Sequence, residues 1–231
     1  MGLQKNKLSG RSFMEKLIYR ITMKKSKHYL IMKYSKDWYN SFHSLSLQKL
    51  NNIINDIPNI GDSIFLFNYK FAPAYIAWYK AFQELGIEQT EIIKNIWVMN
   101  EKMTTVIPKF LLHFMGKFYL NSFRRKAAKH IKKQNTIGIH PYDWQIEYRE
   151  IDDNSFEIDI KTCGIKKLAE EHGAKGLLPG ICRMDYLFAS LMNNGFQRTK
   201  TLGDGDDCCN CRYFLKGACE WAPEKGFEYR K

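Results

Sequence analysis

Apolar residues recur at helical spacing through the first 138 positions and then switch to strict alternation, a change of period that divides the chain. Phe13, Leu17, Ile18 and Ile21 mark an amphipathic helix near the N-terminus. Ser44 or Ser46 is placed to cap a short helix through Ile54, which the turn from Pro58 to Gly61 closes. In PAYIAWYKAFQELG, proline at the start and Gly86 at the end frame a helix of about three and a half turns. Thr90 and Glu91 open another through Met103. Pro108 starts a further helix that runs into RRKAAKHIKK, where cations at a helix C-terminus suit the macrodipole.

After Gly138, WQIEYREI and SFEIDIKT alternate with period two on either side of Asp152-Asp153-Asn154, which predicts a β-hairpin. IKKLAEEHGAKG reads as a helix ending at glycine. LPGICRMDYLFASLMNNG reads as a second helix, starting after Pro179 and stopping at Gly195. FQRTKTL, the polar turn GDGDD and CCNCRYFLK complete another hairpin. The expected fold class is therefore α+β. A helical N-terminal half (1–138) packs on a ββααββ unit (139–231) with an antiparallel four-stranded sheet, and the two make one compact unit.

Charge sharpens that division. Residues 1–138 carry 23 Lys/Arg against 8 Asp/Glu and residues 139–231 carry 13 against 16, so the net +12 resides in the helical half. A positive field answers nucleic acid, an acidic membrane or a small anion alike, or is simply a solvated lysine-rich surface. The absence of a zinc-finger spacing, an RNP-type signature or a helix-turn-helix pattern argues against nucleic acid. The apolar run VIPKFLLHFMGKFYLNSF is broken by Lys109, His113 and Lys117, short of the ~20 apolar residues of a bilayer span. The opening Met-Gly-Leu-Gln-Lys-Asn lacks the Ser or Thr of a myristoylation signal, and no export signal is visible, so no membrane partner and a cytoplasmic location are expected.

All six cysteines lie between Cys163 and Cys219, and in a chain with no secretion signal reduced thiols are expected. Cys182 and Asp185 stand three apart on a predicted helix, where a thiol and a carboxylate on one face can act as nucleophile and proton acceptor. Spacing alone equally allows a small core residue beside a hydrogen-bond partner. If the GDGDD turn sets Thr201 opposite Cys209, Arg198 faces Arg212 across the hairpin, and two adjacent guanidiniums suit a carboxylate. The alternative is an exposed rim, or pairing of an arginine with Asp185 or Glu170. The spacing of Cys208, Cys209, Cys211 and Cys219 matches no standard zinc or iron–sulfur pattern, and adjacent strand residues face opposite ways, so no metal and no cofactor are expected. His140, beside Pro141 and Asp143, reads as a turn-stabilising residue.

These residues carry a family resemblance. Cys163, then Cys182-Arg-Met-Asp185, then Arg198-Thr-Lys-Thr201-Leu-Gly-Asp-Gly205 and Cys209-Asn-Cys-Arg212-Tyr213 resemble the L-2-amino-thiazoline-4-carboxylate hydrolase family over roughly the last 90 residues. Asn210 and Cys211 stand where that family usually has Asp-Phe. The resemblance implies hydrolytic opening of a five-membered cyclic amidine to an N-carbamoyl amino acid such as N-carbamoyl-cysteine, a step of cysteine metabolism. It implies Cys182 and Asp185 as catalytic residues, and Arg198, Arg212, Thr201, Cys163 and Cys209 as binding residues for a small anionic substrate. The closing hairpin is also similar to 4-vinyl reductase type domains, which implies the alternative of a non-catalytic small-molecule-binding or regulatory module.

Overall fold

The computed structural model describes residues 12–219. Helix α1 (Phe13–Lys33) runs well past the predicted segment. Helix α2 (Lys36–Asp56) begins earlier than expected, because Ser35 is the cap: its Oγ accepts from the Trp38 amide at 3.1 Å. Ser46, expected at a cap, is instead buried in mid-helix, with its hydroxyl 2.7 Å from that of Tyr19.

A single turn, α3 (Leu66–Tyr69), leads into α4 (Ala72–Glu84), which is apolar on nearly every side and accordingly sits at the centre of the helical half. Its Trp78 is fully buried and stacks on Tyr19 with ring centroids 5.8 Å apart. Gly86, at φ 75°, takes the left-handed turn that ends this helix. Helices α5 (Gln89–Thr104) and α6 (Lys109–Thr136, with Pro108 at its N-cap) follow as predicted.

Strands β1 (Ile146–Glu150) and β2 (Ser155–Ile160) form the first hairpin. Helix α7 (Gly164–Glu171) and a 3₁₀ turn (Lys175–Leu177) lead to α8 (Leu178–Cys182) and α9 (Met184–Leu191). Strands β3 (Gly195–Gln197) and β4 (Cys209–Phe214) complete an antiparallel sheet of order β1-β2-β4-β3. The α+β architecture expected from the period change is present.

Two expectations for the second half need correction. The helix predicted from Pro179 to Gly195 is two helices, α8 and α9, with Arg183 as the joint. Arg183 is completely buried and donates to both carboxylate oxygens of Asp204 at 3.0 and 2.7 Å, an anchor whose partner lies 21 residues away and has no periodic signature. The second hairpin is also one residue out of the expected register. Gln197, not Arg198, pairs with Arg212. Because side chains alternate, a one-residue slip changes the face of every residue on the strand.

The sheet's inner face therefore presents Phe156, Ile158 and Ile160 beside Tyr213, Cys211 and Cys209, and Phe196 beside Tyr213. Phe123 of α6 packs edge-on against Tyr213 at 5.4 Å. One hydrophobic core runs from Ile18 of α1 to Leu215 beyond β4 and spans both halves of the chain.

Candidate functional site

Arg198 follows Phe196 at period two, so the observed register turns it inward, where it is 4% exposed. Its guanidinium donates to Asp185 Oδ2 at 2.8 Å and to the Cys182 carbonyl oxygen at 2.7 Å, clamping the ends of α8 and α9 together. The rings of Tyr186 and Phe196 lie 5.4 and 5.5 Å from the cation. Arg198 thus bridges the Cys182 backbone carbonyl and the Asp185 carboxylate across the joint of two helices, where a thiol and a carboxylate on one continuous helical face were expected. The pairing of Arg198 with Asp185 is the one weighed beforehand as the alternative to ligand binding.

Beyond Gln197 the strand leaves the sheet. The carboxamide oxygen of Asn210 accepts from the Thr199 and Lys200 amides at 3.0 and 2.7 Å, and its nitrogen donates to Thr199 Oγ1 at 2.8 Å. Thr201 N donates to Asp206 Oδ2 at 2.8 Å. These bonds fold 199–208 back over the inner face as a loop. Thr201 Oγ1 then lies 3.5 Å from Cys209 Sγ, and the Leu202 amide donates to the same sulfur at 3.2 Å. Thr201 and Cys209 do meet, brought together by loop closure. At position 210 the chain thus uses a side-chain amide to hold the loop.

Three thiols cluster here, Cys182 and Cys209 beside Arg198 and Cys163 next to those two sulfurs. Cys182 lies under the loop so closely that a Cβ on Gly203 would sit 2.6 Å from its sulfur. Burial pushes its pKa up, only partly opposed by Arg198, with Cys209 and Cys163 close enough to raise it further. Cys163 precedes α7, whose Lys166 and Ile165 amides, with the Trp144 side chain, favour its thiolate; burial still dominates and pushes it up to about 11. Cys209 is likewise raised by burial, but Thr201, Arg198 and the Leu202 amide all favour its charged form. Of these three sulfurs, Cys209 combines direct hydrogen-bond donors with closeness to Arg198. Cys211, fully buried on the same face, is also raised by burial and opposed by Arg198.

Arg212 is not brought to this cluster. It lies on the opposite, half-exposed face, 3.8 Å from Glu157 and over the Phe214 ring at 5.2 Å, beside Arg149, which pairs with Glu157 and Asp159 at 3.0 Å each. That face is a solvated charge ladder. Cys208 also points away from Cys209, towards Asp207, Lys161 and Asp159. Among the described residues no three His, Cys, Asp or Glu side chains gather into a group that could hold a metal ion. His140 Nδ1 accepts from the Tyr142 amide at 3.2 Å, in keeping with a turn role.

Spacing did not reveal the parts played by Asp204, Gly203 or the Leu202 amide. The GDGDD turn was legible as a turn, but a carboxylate buried under Arg183 and a backbone donor aimed at a thiol are properties of loop closure. A surface cleft of about 110 Å³, lined by Glu15, Asn59 and Lys70 among others, opens far from the thiols, and Lys70 already pairs with Glu15 at 2.7 Å. It contains no nucleophile–base pair and no convergent chemistry.

The L-2-amino-thiazoline-4-carboxylic acid hydrolase family matches residues 68–213, well over half the chain. The chain belongs to this family. No curated protein and no solved structure matches it. The family match begins in α3, so it includes the helices that seat the thiol cluster as well as the cluster itself. Gly180 of α8 rests against Ile93 and Ile96 of α5, and Gln89 Nε2 donates to the Gly176 carbonyl at 2.6 Å. Motifs alone had suggested a likeness confined to the last 90 residues; the match reaches back into the helical half.

Proposed function

We propose that this member of the family hydrolyses a small cyclic amidine of the 2-amino-thiazoline-4-carboxylate type to an N-carbamoyl amino acid, at a site formed by Cys163, Cys182, Asp185, Arg198, Thr201 and Cys209. The observation that carries the proposal is the clustering of three thiols, two of which, Cys182 and Cys209, lie beside the Arg198–Asp185 pair. A planar guanidinium fork is the natural receptor for a carboxylate. In this reading the substrate carboxylate takes the place of Asp185 on Arg198, which frees Asp185 to accept a proton.

Cys209, rather than Cys182, takes the attacking role, because the Leu202 amide and Thr201 hydroxyl favour its thiolate. Its sulfur adds to the ring carbon between nitrogen and sulfur, the ring carbon–sulfur bond breaks, and the released sulfur takes a proton. Water then adds to the same carbon, displaces Cys209 as the thiol and leaves the carbamoyl oxygen in place. Cys182 and Cys163 line the pocket. The closed packing of Gly203 over Cys182 requires the loop to shift at Leu202 and Gly203 to admit substrate, while Asp204 stays anchored on Arg183.

The same closed packing favours the second reading, a binding or regulatory module without turnover. Thermal denaturation and product analysis with 2-amino-thiazoline-4-carboxylate separate the two. A raised Tm with N-carbamoyl product supports the hydrolase, and a raised Tm with unchanged ligand supports the module. No shift and no product sink both.

A further inference from the structure

Helix α6 is built inside out over its first three turns. Its ridge Leu112, Gly116 and Leu120 faces the protein, with Gly116 against the Met192 backbone. The ridge directly opposite, where a surface helix ordinarily carries polar residues, is Phe110, Phe114 and Phe118, exposed by 76, 71 and 68%. Leu111 and Met115 widen this apolar face, and Val106 and Ile107 extend it into the preceding turn. Phe114 and Phe118 contact each other at 6.0 Å, so the surface is continuous.

Along the chain, charge around this ridge has one sign. From Lys102 to Tyr142 the sequence holds nine Lys/Arg and no Asp or Glu. Three of the six later cations of α6 are engaged within the fold: Arg124 with Glu150, Lys129 with Asp62 and Lys133 with the Asp62 carbonyl. Lys109 and Lys117, which border the aromatic ridge, make no ion pair among the described residues.

We propose that this face of α6 docks on an anionic phospholipid surface. Aromatic and aliphatic side chains projecting from a helix that lies parallel to a bilayer, bordered by lysines, are what interfacial adsorption requires. Each lysine near such a surface adds about 1 kcal/mol, roughly a fivefold gain in affinity. No spanning helix is needed, and among the described residues none is long and apolar enough to cross. A second copy of the chain fits less well. It brings the same cations and no carboxylate from this stretch to meet them.

The test is sedimentation of the full chain with phosphatidylcholine vesicles, either neutral or containing about a third phosphatidylglycerol, at low salt. The intact chain is expected to pellet with anionic vesicles and not with neutral ones. The variant F110S/F114S/F118S, with unchanged charge and Tm, loses at least about tenfold in partitioning. The variant K109Q/K117Q loses at least about tenfold as well. The proposal is overturned if the triple variant binds like the intact chain, which leaves charge alone as the cause. It is also overturned if the intact chain ignores anionic vesicles or prefers neutral ones, or if it elutes as a dimer that the triple substitution dissociates without any vesicle binding.

Discussion

Arg183 and Asp204 show how a single buried contact sets local structure. Both side chains are almost wholly withdrawn from water, and a bidentate bond holds them. Arg183→Met leaves a buried carboxylate without its partner and should cost about 3–5 kcal/mol. The double change Arg183→Met with Asp204→Leu should recover much of that, read as Tm or urea midpoint. The buried thiols make a second prediction at this scale. A thiol whose folded pKa is raised keeps its proton where the unfolded thiol has lost it, so its share of stability is complete below the ordinary value and is lost as pH rises. For Cys163 that window runs from about 9 to about 11. The Tm should fall across this interval, and iodoacetamide should label native protein slowly at neutral pH. Which cysteines would be buried was partly legible, because Cys209 and Cys211 alternate with Cys208 and Asn210 on one strand. Which sulfur would receive donors was not, because the Leu202 amide reaches Cys209 only after the loop closes.

At the scale of elements, the helices and the first hairpin were readable because their periods are long and uninterrupted. The second hairpin was readable as a hairpin but not in register. Turn residues fix that a chain reverses, whereas the register here is decided by Asn210, whose side chain takes the Thr199 and Lys200 amides and ends β3 at Gln197. The slip carried Arg198 inward and left Arg212 outside, which is the difference between two side-by-side arginines and one clamp. Two glycines test the packing of elements. Gly116→Ala would drive a methyl into the Met192 carbonyl, so α6 and α9 must part; a loss of roughly 1–3 kcal/mol is expected, seen as a lower Tm. Gly203→Ala presses on the Cys182 sulfur from a loop rather than from a helix. It should lower kcat/KM for the cyclic amidine at least about tenfold while moving Tm little, if loop seating governs the site.

Over the whole molecule, the helical half and the sheet share one core, and the site lies where α8 and α9, held on α5, meet the inner face of the sheet. The membership of the chain in the L-2-amino-thiazoline-4-carboxylic acid hydrolase family rests on residues 68–213, a stretch that includes this junction but not α1 or α2. The charge asymmetry seen in the sequence acquires a location, since its acid-free stretch coincides with the outward aromatic ridge of α6. In the proposed function, the thiol cluster beside Arg198 opens a cyclic amidine, with Cys209 as the attacking group. The most direct measurement is the rate of N-carbamoyl product formation from 2-amino-thiazoline-4-carboxylate by the purified chain and by its Cys209→Ser and Cys208→Ser variants, each checked for unchanged Tm. Turnover is expected from the unaltered chain, with a loss of at least about a thousandfold in Cys209→Ser and a rate within about twofold in Cys208→Ser, whose side chain faces away. Turnover by Cys209→Ser at the rate of the unaltered chain would contradict it.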